Sequence, residues 1–165
     1  MIRVVVGDLA LVAADAVVRP ADAGLGPIGS AAVRLDEVGG DRFAAQRRTA
    51  TALEAGAAVV TGGGALPAGF VLHVVVADGR GAADRDRVRR ALVSAWQRAG
   101  DWELRRIAGP LVGVDGGRLS PEEAVALLVE TFPKTPAEAG PAELDIVVAT
   151  EAEHERLEPL VRRTA

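Results

Sequence analysis

Two glycine-rich loops contain the residues best suited to bind a ligand. In the first, residues 19–30, three glycines have the spacing G-x-G-x-x-G, and a helix is expected to begin near Ser30. Glycines let backbone N–H groups approach an anion closely, and a helix N-terminus adds positive potential. Pro20 and Pro27 interrupt the loop, so the spacing does not predict a dinucleotide fingerprint. The loop is either an anion-binding segment or a flexible connector.

The second loop, residues 109–121, also follows an apolar run and leads into a capped helix. If both loops lie at one sheet edge, they form a crevice outside the strand ends, where open α/β sheets bind ligands. Arg118 in this loop could close on a diphosphate. The alternative is that Arg118 faces solvent, as most arginines do.

Asp8 is a further candidate, because it directly follows the apolar run 4–6 and Gly7. A carboxylate at a strand end can accept hydrogen bonds from neighbouring amides or from an adenine amino group. Asp is also common at turns for local reasons, so a turn-forming role is the alternative.

The two histidines are expected to be structural. His73 ends the apolar run 70–73 in a strand that should be central. This position favours a buried, hydrogen-bonded side chain over acid–base use. His154 lies in a polar helix start and is expected at the surface.

The elements that position these residues follow from the alternation of β-rich runs and helical patterns, which is typical of a layered α/β sheet. Strands are predicted near residues 2–6, 14–18, 57–60, 70–76, 105–112 and 144–149. Helices are predicted from near Ser30, from Asp84 to about Ala99 with Gly100 as the cap, after Ser120, and after Thr150. Residues 133–141 are proline-rich and read as a surface connector.

Composition favours one domain spanning residues 1–165, because single domains typically have about 100–200 residues. The 49% hydrophobic and 3% aromatic content predicts a core of Val, Leu, Ala and Ile. The chain has no cysteine, which excludes disulfides, thiolate metal sites and cysteine nucleophiles. No metal or cofactor is expected.

The net charge and the first residues of the chain limit which partners and which location can be expected. The net charge is −4 with interspersed signs, which argues against binding a nucleic-acid backbone. Four arginines in the helix 84–99 alternate with aspartates, which favours a solvated face over an anion site. The first apolar run is too short for a signal peptide or a membrane span. A cytoplasmic location without a membrane partner is therefore expected.

Residues 56–73 read as a strand, a glycine- and proline-containing turn, and a second strand that ends on histidine. Together with Gly7-Asp8-Leu9 after the first strand, this order resembles the macro domain, a module that binds ADP-ribose. Residues 14–18 and 107–111 resemble the strands before the family's two phosphate loops. The resemblance implies an α/β fold with three α-β-α layers, in which a mixed six-stranded sheet is flanked by about five helices.

The resemblance also implies the ligand contacts, with ADP-ribose lying across the strand ends and Asp8 on the adenine. The candidate ligand-binding residues are Asp8, Leu9, Ala21, Asp22, Gly24, Gly26, Ile28, Gly29, Ser30, Gly113, Val114, Asp115, Gly116, Gly117 and Arg118.

Several ligand-side positions depart from the family pattern. The family's Asn-Ala-Ala-Asn is replaced by Arg19-Pro20-Ala21-Asp22, so both asparagines are lost. A carboxylate at ~4 Å from a phosphate repels it by roughly 4 kcal/mol at an effective dielectric constant of ~20. The second loop is one residue longer and has Val114-Asp115 where Thr-Gly is usual. Residues 149–151 include no aromatic side chain to stack on adenine. Weak binding is therefore expected.

Three functions are compatible with these residues. The first is binding of ADP-ribose or a related nucleotide. The second is hydrolysis of an ADP-ribosyl linkage, for which Asp22 and Asp115 are candidates to position water. The third is a degenerate macro fold that serves as a scaffold without ADP-ribose binding, and a homo-oligomer is left open.

Overall fold

A six-stranded sheet forms the centre of the fold in the computed structural model, which describes residues 1–49, 51–79 and 83–163. Its strands are β1 (Ile2–Val6), β2 (Ala16–Asp22), β3 (Ala58–Gly62), β4 (Phe70–Ala77), β5 (Arg106–Gly109) and β6 (Glu143–Val148). Their order across the sheet is β1-β6-β5-β2-β4-β3.

The sheet is mixed, because β3 runs antiparallel to β4 while the other neighbouring strands are parallel. The carboxyl ends of β1, β6, β5, β2 and β4 therefore share one edge. Parallel neighbours need crossover connections, and helices usually supply them. The two glycine-rich loops follow β2 and β5 at this edge and lead into α1 and α3.

Helices cover both faces of the sheet and complete a three-layer fold. The described residues contain α1 (Ser30–Gln46), α2 (Arg85–Asp101), α3 (Pro121–Thr131), α4 (Glu151–Arg162) and a short 3-10 helix (Leu9–Leu11). There are thus four α-helices in the described part of the chain rather than the expected five or so. The 3-10 helix is a single turn and does not form a further helical layer.

Two large apolar clusters, one on each face of the sheet, pack the helices against it. Buried side chains of α2, α3 and α4 pack on one face, with Leu92, Leu128 and Leu157 fully buried. Leu35 and Phe43 of α1 pack on the other face together with the 3-10 helix. Val17 and Val18 of β2 belong to opposite clusters, as the two-residue period of a strand requires.

β2 and β5 differ in length from the sequence prediction. β2 continues through residues 19–22, which the sequence predicts to be part of a loop. Pro20 is tolerated because β5 pairs with β2 only at Ala16 and Val17. The Pro20 carbonyl instead accepts a hydrogen bond from Ile28 N (3.1 Å). β5 ends at Gly109, before Pro110, which has no N–H to donate.

Two of the described α-helices, α3 and α4, begin at the caps that the sequence predicts, and α2 begins at its predicted position. Ser120 and Glu123 form a complete capping box at the start of α3, and Thr150 accepts from Glu153 N at the start of α4. Asp84 caps α2 through Arg87 N. The predicted C-terminal cap of α2 was wrong, because the helix continues through Gly100 to Asp101 and Trp102 is the cap.

Among the described ranges, no helix combines the length and the apolar character that crossing a membrane would need.

Candidate functional site

A cleft of about 180 Å³ opens at the carboxyl ends of β2, β5 and β6. The two glycine-rich loops form two of its walls, and the end of β6 with the start of α4 forms the third. The lining residues are Pro20, Ile28, Gly29, Ser30, Ala31, Pro110, Leu111, Gly113, Val114, Asp115, Val147, Val148, Ala149 and Glu153. The crevice predicted between the loops therefore exists, although it is smaller than the about 300–1,000 Å³ of typical ligand pockets.

The fifteen sequence-predicted site residues divide between the cleft wall and its surroundings. Those in the wall are Ile28, Gly29, Ser30, Gly113, Val114 and Asp115. Those outside it are Asp8, Leu9, Ala21, Asp22, Gly24, Gly26, Gly116, Gly117 and Arg118.

Asp115 joins the two loops across the cleft. Its carboxylate Oδ2 accepts a hydrogen bond from Ser30 N (2.6 Å), at the first residue of α1. Hydrogen bonds from the backbone and the side chain of Ser30 hold the pKa of Asp115 below its usual range. Gly29 has no side chain to cap the helix, and its φ of 88° favours glycine. The N-terminus of α1 is thus capped by an aspartate from the other loop.

Asp22 organises the first loop from within. Its carboxylate Oδ1 accepts hydrogen bonds from Gly24 N (3.0 Å) and Gly26 N (2.7 Å), while its own N donates to the Gly26 carbonyl (2.9 Å). Leu25 is buried at the turn of this loop. Two of the amides that could have faced an anion therefore bind Asp22 instead.

Asp8 lies beside the cleft and takes a structural role. Its Oδ1 caps the 3-10 helix by accepting from Ala10 N (3.1 Å), and its Oδ2 pairs with Arg34 (3.1 Å). The preceding Gly7 donates to the carbonyl of Val148 in the cleft wall (3.0 Å). The side chain of Asp8 is 35% exposed, so its carboxylate retains open lone-pair positions. The neighbouring Leu9 is buried in the core.

Arg118 is exposed and lies outside the cleft wall. Its backbone N donates to the Ala83 carbonyl (3.0 Å), which joins the second loop to the segment before α2. Asp84 is close enough that the positive charge of Arg118 helps to lower the pKa of Asp84, although the hydrogen bond from Arg87 N is the main cause. Arg118 therefore faces solvent, as the second of its two expected positions had it.

The charged side chains in the cleft wall are acidic. They are Asp115 and Glu153, whose Oε1 accepts from Ala149 N (3.3 Å) at the start of α4. Of the described residues that line the cleft, none is Lys or Arg. Within the described ranges, no three His, Asp or Glu side chains lie together as a metal ion would require.

A buried polar cluster that joins β2, β3, β4 and α1 was not predicted from the sequence. Arg19 is fully buried on β2, where its guanidinium binds both oxygens of Asp36 on α1 (2.8 and 3.0 Å). Its Nη1 lies 3.1 Å from His73 Nδ1, and His73 Nε2 lies 2.7 Å from Thr61 Oγ1. Arg19 and His73 face each other in the β2–β4 register, a pairing that becomes visible only once the register is known.

His73 is neutral in this cluster. A guanidinium has no acceptor, so Arg19 must donate to Nδ1, and Nε2 must carry the proton that is donated to Thr61. Burial lowers the pKa of His73 to about 3, with further contributions from the charges of Arg19 and Arg47. The buried, hydrogen-bonded role predicted for His73 is confirmed. His154 is half-buried.

A comparison with family models identifies one family. The macro domain family matches residues 18–128. A relative from Aeropyrum pernix, described as an uncharacterized protein, is 32% identical over 130 residues, which cover 74% of this chain and 66% of the relative, just under two thirds of its length.

Solved structures show the same fold. A Trypanosoma brucei macrodomain in complex with ADP is similar with a TM-score of 0.80 and 25% identity, covering 97% of this chain and 68% of that one. A mutant Oceanobacillus iheyensis macrodomain with ADPR is similar with a TM-score of 0.75 and 17% identity, covering 97% and 90%.

Proposed function

Because this chain belongs to the macro domain family, we propose that it binds ADP-ribose or a related nucleotide, weakly, in the cleft at the strand ends. The observation that carries the proposal is the cleft between the two glycine-rich loops, at the carboxyl ends of β2, β5 and β6. Open α/β sheets bind ligands at this edge. Macrodomains that bind ADP or ADPR share the fold.

The residues in the wall would contact a ligand that lies across the strand ends. Residues 28–31 and 113–115 face the cleft from the two loops, and residues 147–149 close its far side. Asp8 lies next to this far side through the bond from Gly7 to Val148, and its free lone pairs could accept an adenine amino group. The other predicted contacts would require the loops to move on binding.

Three features keep the expected affinity low. The amides of Gly24, Gly26 and Ser30 are already hydrogen bonded to aspartates. The cleft is smaller than typical ligand pockets, so binding must widen it. No aromatic residue follows β6, and a lost aromatic–base stack removes roughly 1–3 kcal/mol of binding free energy.

Hydrolysis of ADP-ribosyl linkages is not favoured by the site. Asp22 lies outside the cleft wall, and its Oδ1 is bound by two loop amides. Asp115 lies in the wall but caps α1. If no nucleotide binds, the remaining function is that of a scaffold without a ligand.

The expected setting is the cytoplasm, with a nucleotide as the partner. Nucleic acid is not an expected partner because the arginines of α2 are paired with acidic side chains, as Arg85 and Arg89 are with Glu130. Whether copies associate is a separate question, which sedimentation of the purified chain would answer.

Thermal unfolding with and without ADP-ribose tests the proposal. A ligand at 100 times its dissociation constant adds about 2.7 kcal/mol to the free energy of unfolding. Millimolar ADP-ribose is expected to raise the unfolding temperature, and Asp8→Ala is expected to reduce that rise. Asp101→Ala, at the exposed end of α2, serves as the control and should leave it unchanged. No shift at millimolar ADP-ribose would refute ADP-ribose binding, and the scaffold function remains if AMP and adenosine also give no shift.

A further inference from the structure

Resting on the nucleotide-binding function, we propose that the cleft selects uncharged nucleosides over phosphate-bearing ligands, because internal aspartates occupy the positions where phosphates would bind. The ligand class is thus a neutral purine nucleoside or a similar ring-bearing molecule. Four observations on the two loops and the cleft wall lead to this selection.

The N-terminus of α1 is the strongest anion-attracting position near the cleft, and Asp115 already occupies it. Backbone N–H groups and the helix dipole favour a negative group at such a terminus. Here the group is the carboxylate of Asp115, 2.6 Å from Ser30 N. A phosphate that approached Ser30 N would have to displace this carboxylate and would then lie beside it.

In the first glycine-rich loop, residues 19–30, an aspartate likewise accepts hydrogen bonds from backbone N–H groups. Successive N–H groups of such a loop can form a concave anion site. In this chain the amides of Gly24 and Gly26 both donate to Asp22 Oδ1, at 3.0 and 2.7 Å. A Cβ at Gly26 would lie 2.6 Å from the other oxygen of Asp22, so the carboxylate sits tightly inside the loop. A phosphate at these two amides would have to displace the carboxylate of Asp22.

No cation compensates for these carboxylates in the cleft. Among the described lining residues the charged ones are Asp115 and Glu153. Arg34 is nearby on α1 but pairs with Asp8 at 3.1 Å and with Glu37 at 3.8 Å. Each phosphate charge therefore meets repulsion, whereas an uncharged nucleoside does not.

The remaining wall suits a flat, uncharged group. Pro20, Ile28, Leu111, Val114 and Val147 contribute apolar surface to the cleft. Its volume of about 180 Å³ is small for a ligand with two sugars and a diphosphate. A single base with its ribose needs less widening of the cleft than ADP-ribose does.

Isothermal titration of the full chain at low ionic strength tests the selection with adenosine, AMP, ADP and ADP-ribose. We expect the affinity to fall by about fivefold for each added negative charge, which corresponds to repulsion by one carboxylate at about 4 Å in water. Low salt matters because exposed charges are screened over about 10 Å at 0.1 M.

Asp115→Asn provides the matched variant. Its amide oxygen can still accept from Ser30 N, so the cap persists while the charge is lost. The ratio of ADP-ribose affinity to adenosine affinity is expected to rise about 25-fold, which is about fivefold for each of the two diphosphate charges. Asp41→Asn removes the same charge from an exposed position on α1 and should leave the ratio at its wild-type value.

The outcomes separate the selection from nucleotide binding itself. Tighter wild-type binding of ADP-ribose than of adenosine would overturn the selection and leave nucleotide binding standing. An unchanged ratio in Asp115→Asn would also overturn it. If neither adenosine nor ADP-ribose binds the wild-type chain, both proposals fail. The wild-type ligand series keeps the test decisive even if the variant does not fold.

Discussion

At the scale of single residues, the loops are organised by aspartates that bind backbone amides. Asp22 and Asp115 were identified from the sequence as candidates near a ligand, because they stand in glycine-rich loops. Their hydrogen bonds to Gly24, Gly26 and Ser30 could not be predicted, since they depend on the path of both loops in space. The same residues therefore hold the site together and limit what it can bind.

Substitution of Asp22 should separate the effect of its charge from its hydrogen bonds. Asp22→Asn retains an oxygen that can accept from both glycine amides, so stability should change little and ADP-ribose binding should tighten. Asp22→Ala leaves both amides without that acceptor and is expected to cost about 1–3 kcal/mol. Urea unfolding and ADP-ribose titration of both variants measure the two effects. Weaker binding by Asp22→Asn would contradict the repulsion.

His73 should make the fold sensitive to acid. Its pKa is about 3 in the fold, against an ordinary value of 6.5, so the unfolded chain takes up a proton on His73 that the folded chain does not. Stability from this group is present above pH 6.5 and is lost as the pH falls from 6.5 towards 3.

Urea unfolding at pH 7.0 and 4.5 measures this loss against His73→Gln, which cannot titrate. Between these values the wild type should lose about 2–3 kcal/mol more than the variant, since one pKa unit corresponds to about 1.36 kcal/mol. Equal losses in the two proteins would mean that His73 is protonated as readily in the fold as in the unfolded chain.

At the scale of elements, local signals predicted where helices begin better than where strands end. Ser120-Pro121 and Thr150 mark the starts of α3 and α4 because caps act within one turn of the helix. β2 extends to Asp22 because β4 pairs with it along its length, a tertiary effect that outweighs the turn-forming tendency of Pro20. α2 continues through Gly100 to Asp101, and the N–H of Trp102 caps it by donating to the carbonyls of Arg98 and Gly100.

The cap of α3 supplies a prediction for one element. Ser120→Ala removes the acceptor for Glu123 N (3.1 Å) and should lower the free energy of unfolding by about 1 kcal/mol. Ser120→Thr keeps a hydroxyl at that position and should recover most of the loss. Thermal or urea unfolding compares the three proteins. A cost for Ser120→Thr equal to that of Ser120→Ala would show that the hydroxyl is not what stabilises the helix.

At the scale of the whole molecule, the fold could be predicted and the state of the cleft could not. The order of apolar strands predicted a layered α/β sheet, because apolar patterning decides how a sheet is layered. The macro fold was implied by the resemblance of residues 56–73 and Gly7-Asp8-Leu9 to that family. The cleft depends on contacts between distant residues, such as Asp115 with Ser30 and Gly7 with Val148. Arg19 illustrates the limit: it was expected in a loop near ligand and is buried against α1.

Nuclear magnetic resonance of the isotope-labelled chain, titrated with ADP-ribose, tests most directly whether this cleft binds a nucleotide. Backbone amide signals of residues that line it should shift in a saturable way, with Ser30, Ala31, Gly113, Val114 and Ala149 among the largest changes. Signals from exposed positions on α2, such as Arg89, should stay in place and serve as the internal control. Spectra that do not change at millimolar ADP-ribose, or shifts confined to residues away from the two loops, would contradict the account.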